Sequence, residues 1–275
     1  MRFQRWILLV LASVLAVVGA SSPASAGSSA ARPFTVFVAG DSTASIYAKA
    51  EAPRTGWGQA LPLFLNQHKA RVVDEAISGA SSKSFIALGG LARIESAIRP
   101  GDFLVISFGH NDEKITDPAR GTDPYTTFQA YLTQYVQVAR AHGATPVLVT
   151  PVERRRFSGT TAVASHGEYP AAMKQLGQRL GVDVIDLTAL SMSLWQQLGP
   201  EPTKDQFLWL DPAEHPNYPA GISDNTHFRA RGALEVARIV AQRLKAQRIL
   251  SPNAVIRLGQ PIGESAVSWP DQRPT

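Results

Sequence analysis

Five short apolar runs, separated by helical periodicities, constrain this chain more than any other feature. The runs are FTVFVA (34–39), RVVDEA (71–76), FLVISF (103–108), TPVLVT (145–150) and VDVIDL (182–187). Several are almost continuously apolar, the pattern of strands covered on both faces. Helical spacing lies between and after them, near 57–68, 91–98, 124–142, 170–181 and 229–247. In the last of these, Leu234, Ala237, Val240, Ala241 and Leu244 share one face at helical spacing. Strand and helix alternating with short links predict a three-layer α/β/α sandwich around a central parallel sheet of about five strands.

Residues 1–26 stand outside that pattern. Arg2 and Arg5 precede an apolar run from Trp6 to Val18, and Ala24-Ser25-Ala26 supplies small residues for cleavage. That is the layout of a secretory signal peptide, and the apolar run is short for a bilayer span. The expectation is a secreted chain, extracellular or periplasmic, with no membrane attachment after cleavage. Residues 27–275 then suit a single domain with a sizeable core. The chain has no cysteine, which excludes disulfides, thiolate metal sites and cysteine nucleophiles together.

The net charge is +5, and two of those positive charges leave with the leader. The remaining basic residues are scattered apart from Arg154-Arg155-Arg156. No basic face interleaved with aromatics is visible, so nucleic acid is not expected as a partner. A mild positive balance suits an acidic polymer better. With no obvious exposed apolar stripe, a monomer is expected. Two stretches, 151–169 and 199–226, read as long loops, which in a compact domain are often functional. The tail 251–275 shows no placeable pattern, and beyond Asp271 it has the character of a disordered end.

In an open parallel sheet, ligands bind beyond the carboxyl ends of the strands. The first predicted strand delivers Gly40-Asp41-Ser42-Thr43 there, the second Ile77-Ser78-Gly79-Ala80, and the third Gly109-His110-Asn111-Asp112. The fourth delivers Pro151 to Arg155, and a loop before the last helix delivers Asp224-Asn225-Thr226-His227. Acyl transfer needs a hydroxyl nucleophile, a base, a carboxylate to orient the base, and donors for the oxyanion. Ser42 is the candidate nucleophile, His227 the base and Asp224 its orienter. The backbone N–H groups of Ser42 and Gly79 and the side-chain amide of Asn111 are the candidate donors. Gly79 lets a substrate approach the backbone.

These blocks, in this order, resemble the four signature blocks of the SGNH, or GDSL-like, hydrolases. The resemblance extends over nearly the whole mature chain. Within that family the chain is similar to the rhamnogalacturonan acetylesterase branch, through AGDSTA, ISGASSKSF, FGHND, TPVERRRF, HGEYP and DNTHF. Two positions depart from wider family usage: Thr43 follows Ser42 in place of Leu, and Ala80 stands where many relatives carry Arg. The resemblance implies a flavodoxin-like fold and hydrolysis of O-acetyl esters through an acyl-serine intermediate, with no metal or cofactor. It implies acetylated rhamnogalacturonan, a pectin backbone, as substrate.

Arg154 and Arg155 are candidates for pairing with uronate carboxylates. His166 and Tyr169, in the long loop, are candidates for sugar contact. Asp112 reads as structural, bonding nearby backbone N–H groups. His110 reads as a satisfied histidine behind the site, since one base suffices. Phe207, Trp209 and Tyr218 read as core under a loop. Other substrates remain open with the same residues: acetylated xylan, a small acetylated molecule or a lipid. So do an acyltransferase and a non-catalytic carbohydrate-binding relative.

Overall fold

Each of the five apolar runs forms a strand of one parallel sheet. The computed structural model describes residues 32–274, so the leader expected over 1–26 lies outside the described residues. The first half of the chain runs β1 (Phe34–Gly40), β2 (Arg54–Thr55), α1 (Trp57–Ala60), β3 (Ala70–Asp74), α2 (Ser82–Ala87), α3 (Gly90–Ala97) and β4 (Phe103–Ser107). The middle runs α4 (Gln129–Ala141), β5 (Thr145–Val149), β6 (Phe157–Ser158), β7 (Thr161–Ala162), α5 (Tyr169–Leu180) and β8 (Asp183–Ile185). Then follow α6 (Leu187–Leu198), β9 (Phe207–Leu210), β10 (Ile222–Arg229) and α7 (Ala230–Ala246).

The central sheet has the order β3-β1-β4-β5-β8, with every pairing parallel. Helices cover both faces, giving the three-layer architecture that the alternation predicts. β1 shows why its sequence is so apolar. Val36 and Val38 point into a core shared with Leu234, Val240 and Leu244 of α7. Phe37 and Ala39 point the other way, into a core with Ile94 of α3 and Leu132 of α4. Each fully buried side chain of this size contributes about 1.5–3 kcal/mol, so a polar substitution on either face of β1 disrupts one core.

The strand order reverses at β1. The chain passes from β1 to β3 on one side, then crosses to β4 on the other. The carboxyl ends of β1 and β4 therefore diverge into a crevice, the place where this topology binds ligands.

Several elements differ from expectation. The helix over 57–68 stops early: α1 has four residues and gives way to a 3-10 turn at Leu61–Phe64, which contains Pro62. The helix over 124–142 begins with a wider π turn at Pro124–Phe128, where Asp123 accepts from the N–H groups of Tyr125 and Thr126. α2 and α6 were not foreseen; Ser81 caps one and Asp186 the other.

The two expected loops are partly ordered into strands. β6 and β7 form a small hairpin within 151–169. Within 199–226, β9 and β10 join β2 in a second, antiparallel sheet of order β2-β10-β9. The tail is also packed. Val255 bridges to Leu65, the Trp269 indole N–H donates to the Arg54 carbonyl, and Arg273, beyond Asp271, pairs with Glu51.

Candidate active site

The turn after β1 is fixed before it reaches any substrate. Asp41 is buried, and its Oδ1 accepts from the Thr43 N–H at 2.9 Å and the Thr43 hydroxyl at 2.8 Å, a local turn typical of Asp. The Tyr47 hydroxyl donates to the Ser42 carbonyl at 2.6 Å. Gly56 packs against this turn from the side. A Cβ there would overlap the backbone carbonyls of Ala44 and Ser45. These contacts leave the Ser42 side chain no freedom of backbone position, so its hydroxyl is set by the fold.

His227 comes to it from the other sheet. Its Nε2 lies 2.9 Å from Ser42 Oγ, and its Nδ1 lies 2.7 Å from Asp224 Oδ2. The other Asp224 oxygen accepts from the N–H groups of Thr226 at 2.7 Å and His227 at 3.0 Å. Burial alone would raise the Asp224 pKa. The His227 hydrogen bond and charge, with the two N–H donors, outweigh it and hold the carboxyl down at about 2.

Asp224 and His227 are not in a loop, as the polar run DNTH suggests. They lie on β10, whose register with β9 shifts between Ser223 and Phe228. That irregularity places both residues toward Ser42 where strict alternation would put them on opposite faces.

Ser42, Gly79 and Asn111 line the same cleft of about 310 Å³, together with His227. Gly79 has a φ of 83°, and a Cβ there would meet nothing within 4 Å, so its backbone faces open space. Among the described residues, the backbone N–H groups of Ser42 and Gly79 donate to no protein acceptor. The Asn111 amide donates one of its N–H groups to the Ala80 carbonyl at 2.9 Å, leaving the other for the cleft. Lys114 donates to the Asn111 amide oxygen at 2.7 Å and so orients it.

Asp112 has the structural part expected of it. It accepts from the Ser82 N–H and hydroxyl and from the Thr122 hydroxyl, tying the end of β4 to the start of α2. Burial pushes its pKa up to about 7, against those hydrogen bonds.

The remaining sequence candidates divide. Arg154 lines the cleft, but its guanidinium is paired with Glu113. Arg155 is turned away, donating to the Pro200 carbonyl and Asn225 Oδ1 and stacking on Trp209. His166 is buried, with Nε2 2.9 Å from the Val152 carbonyl and Nδ1 3.2 Å from Glu113. The Tyr169 hydroxyl donates to the carbonyls of Asp112 and Thr122. The carboxylate pairing expected of Arg155 and the sugar contacts expected of His166 and Tyr169 therefore have no support in this geometry, because their polar atoms are committed to protein partners.

His110 differs from expectation in the opposite sense. It lines the cleft at 3% exposure, and neither ring nitrogen has a hydrogen-bond partner among the described residues. Burial, then the neighbouring His166 and Arg154, hold its pKa well below the ordinary value, so the ring is neutral. Of the three aromatics read as core, Phe207 is fully buried, whereas Trp209 is half-buried under Arg155 and Lys204. Two cleft residues escaped the sequence reading, Arg54 and Lys114. Lys114 is two residues beyond the Asp112 block and was findable by adjacency. Arg54 sits between Pro53 and Thr55 with no local signal of its role.

A serine, histidine and aspartate in relay, at the switch point of a parallel sheet, define a serine hydrolase of the three-layer α/β class. Residues 38–233 match the GDSL-like Lipase/Acylhydrolase family, and the chain belongs to that family, within its rhamnogalacturonan acetylesterase-like branch. It is a carboxylic ester hydrolase. The chain is 48% identical to rhamnogalacturonan acetylesterase RhgT of Bacillus subtilis (strain 168), over 78% of this chain and 90% of that one. It is 36% identical to the probable rhamnogalacturonan acetylesterase YesY of the same organism, over 84% of this chain and 97% of that one. The crystal structure of YxiM, also from Bacillus subtilis, superposes with a TM-score of 0.67 at 28% identity, over 79% of this chain and 57% of that one.

Proposed function

We propose that this protein is a secreted serine esterase that removes O-acetyl groups from acetylated rhamnogalacturonan through an acyl-serine intermediate. The observation that carries this reading is the continuous relay from Ser42 Oγ through His227 to Asp224, at 2.9 and 2.7 Å. The substrate is supported by similarity to two chains named for that activity or its probable form. Secretion is supported by the leader-like pattern over 1–26.

Ser42 Oγ attacks the acetyl carbonyl carbon while His227 Nε2 takes its proton. The oxyanion forms against the N–H groups of Ser42 and Gly79 and the free amide N–H of Asn111. The tetrahedral species collapses, the sugar oxygen leaves, and the His227 imidazolium returns the proton to it. Water then adds to the acetyl-serine with His227 as base, and acetate departs. Asp224 holds the Nδ1–H tautomer and stabilises the imidazolium in both halves.

Acetate release by wild type and Ser42→Ala protein, on acetylated rhamnogalacturonan and acetylated xylan side by side, tests this reading. Release from the pectin alone, lost in the variant, is expected. Release from xylan alone overturns the substrate. Release at a wild-type rate by folded Ser42→Ala protein overturns the nucleophile.

A further inference from the structure

The cleft around Ser42 carries an uneven distribution of charge. Arg54, Lys114 and Arg154 line it, and no Asp or Glu side chain does among the described residues. Of the three, only Arg154 is neutralised, by Glu113. Neither Arg54 nor Lys114 has a carboxylate within ion-pair distance among the described residues. Two cations without an ion-pair partner among the described residues thus share a small cleft with the nucleophile.

Both are held in place by their uncharged neighbours. β2 pairs with β10 so that Arg54 faces Arg229, two residues beyond His227. The Arg54 carbonyl accepts from the Trp269 indole, and its guanidinium lies 4.5 Å over the Tyr47 ring. Arg54 Nε is buried without a hydrogen-bond partner among the described residues. Glu51, close enough to feel the Arg54 charge, is taken by Arg273. Lys114 donates to Asn111 Oδ1, a neutral acceptor that satisfies one of its three N–H groups. Burial, then the positive fields of Arg120 and Arg154, push the Lys114 ammonium below its ordinary pKa, against the opposing fields of Glu113 and Asp41.

We propose that Arg54 and Lys114 form a carboxylate-reading pair that selects acetyl esters carried beside a uronate. The inference rests on the esterase reading above and adds the residues that would set its specificity. A cleft of about 310 Å³ has room for one sugar residue with its substituents. A carboxylate on the sugar that carries the ester then shares the cleft that both cations line. Arg54 offers a planar fork already flattened against Tyr47, and Lys114 offers a mobile point charge on the Asn111 side. A neutral sugar would leave both unpaired.

The test compares acetylated rhamnogalacturonan oligosaccharides with free uronate carboxyls against the same oligosaccharides after methyl esterification of those carboxyls. Wild type is expected to favour the free acid in kcat/KM by about tenfold or more, the scale of a charge-assisted hydrogen-bond pair. Arg54→Gln is expected to shrink that ratio chiefly through KM; Lys114→Met, which also releases Asn111, is expected to lower kcat on both substrates and to shrink the ratio as well, and the two together to bring it near one. A ratio near one in wild type, or one that both variants preserve, overturns the proposal. A fall in kcat on both substrates with Lys114→Met that leaves the ratio unchanged overturns it for Lys114, which is then only a positioning residue for Asn111. Hydrolysis of 4-nitrophenyl acetate by wild type, lost in Ser42→Ala, reports on the esterase reading separately. A flat ratio with that hydrolysis intact removes the carboxylate pair alone.

Discussion

Ser42 and Asn111 stand at the ends of buried parallel strands, whereas Asp224 and His227 stand on β10, flanked by antiparallel partners of two and four residues. From Val36 to Gly40 every residue of β1 is buried, while β10 is largely half-exposed. The first side is positioned by cores on both faces of a five-stranded sheet. The second is positioned by local hydrogen bonds, above all the three that converge on the Asp224 carboxylate. Nucleophile and oxyanion donors thus inherit their places from packing, and the base inherits its place from polar contacts that single side chains can break.

That contrast can be tested from its strongest consequence downward. His227→Ala removes the only base in the relay, and turnover of an acetyl ester should fall by about 10⁵-fold or more, with the melting temperature little changed. Asp224→Ala should cost less, about 10³- to 10⁴-fold in kcat, since it misorients the base and leaves it present. The wild-type carboxyl, held at about 2, stays ionised through the acid range. Its depressed folded-state pKa contributes stability above the ordinary Asp value, lost only as pH falls through about 2. Rate–pH profiles should therefore show no loss assignable to Asp224 protonation above about pH 4.

Asn111→Ala, on the packed side, should lower kcat by about 10²- to 10³-fold while KM moves little, as for other oxyanion donors. An equal loss in stability would show that Asn111 acts mainly by bracing Ala80. The smallest expected effect concerns Asp112, whose folded pKa near 7 exceeds the ordinary Asp value. The unfolded chain then releases its proton first, so stability falls as pH rises from about 4 to 7. Asp112→Asn should flatten that slope in denaturant titrations across the same range.

The packed side was also the legible side. Near-continuous apolar runs announce strands covered on both faces, and their carboxyl ends name Ser42, Gly79 and Asn111 directly. Asp224 and His227 were legible as chemistry but not as structure. Ile222–Arg229 is mostly polar, so nothing in it alternates like a strand, and the irregular register that aims both residues is set by β9. Pro62 is a visible reason for the early end of α1, while α6 hides because its Leu-rich start continues the apolar character of β8. Arg54 was invisible because its lack of a carboxylate partner among the described residues shows only in the assembled cleft. Arg154 and Arg155 were read as guanidinium groups for pairing with uronate carboxylates, yet Glu113, Pro200 and Asn225 occupy them.

The contact between Ser42 and His227 joins residues 185 apart in the chain. Contacts of such span form late, after the local helices, because loop closure must precede them. Recovery of ester hydrolysis during refolding is therefore a clock for the final docking step: it should trail the recovery of helical circular dichroism.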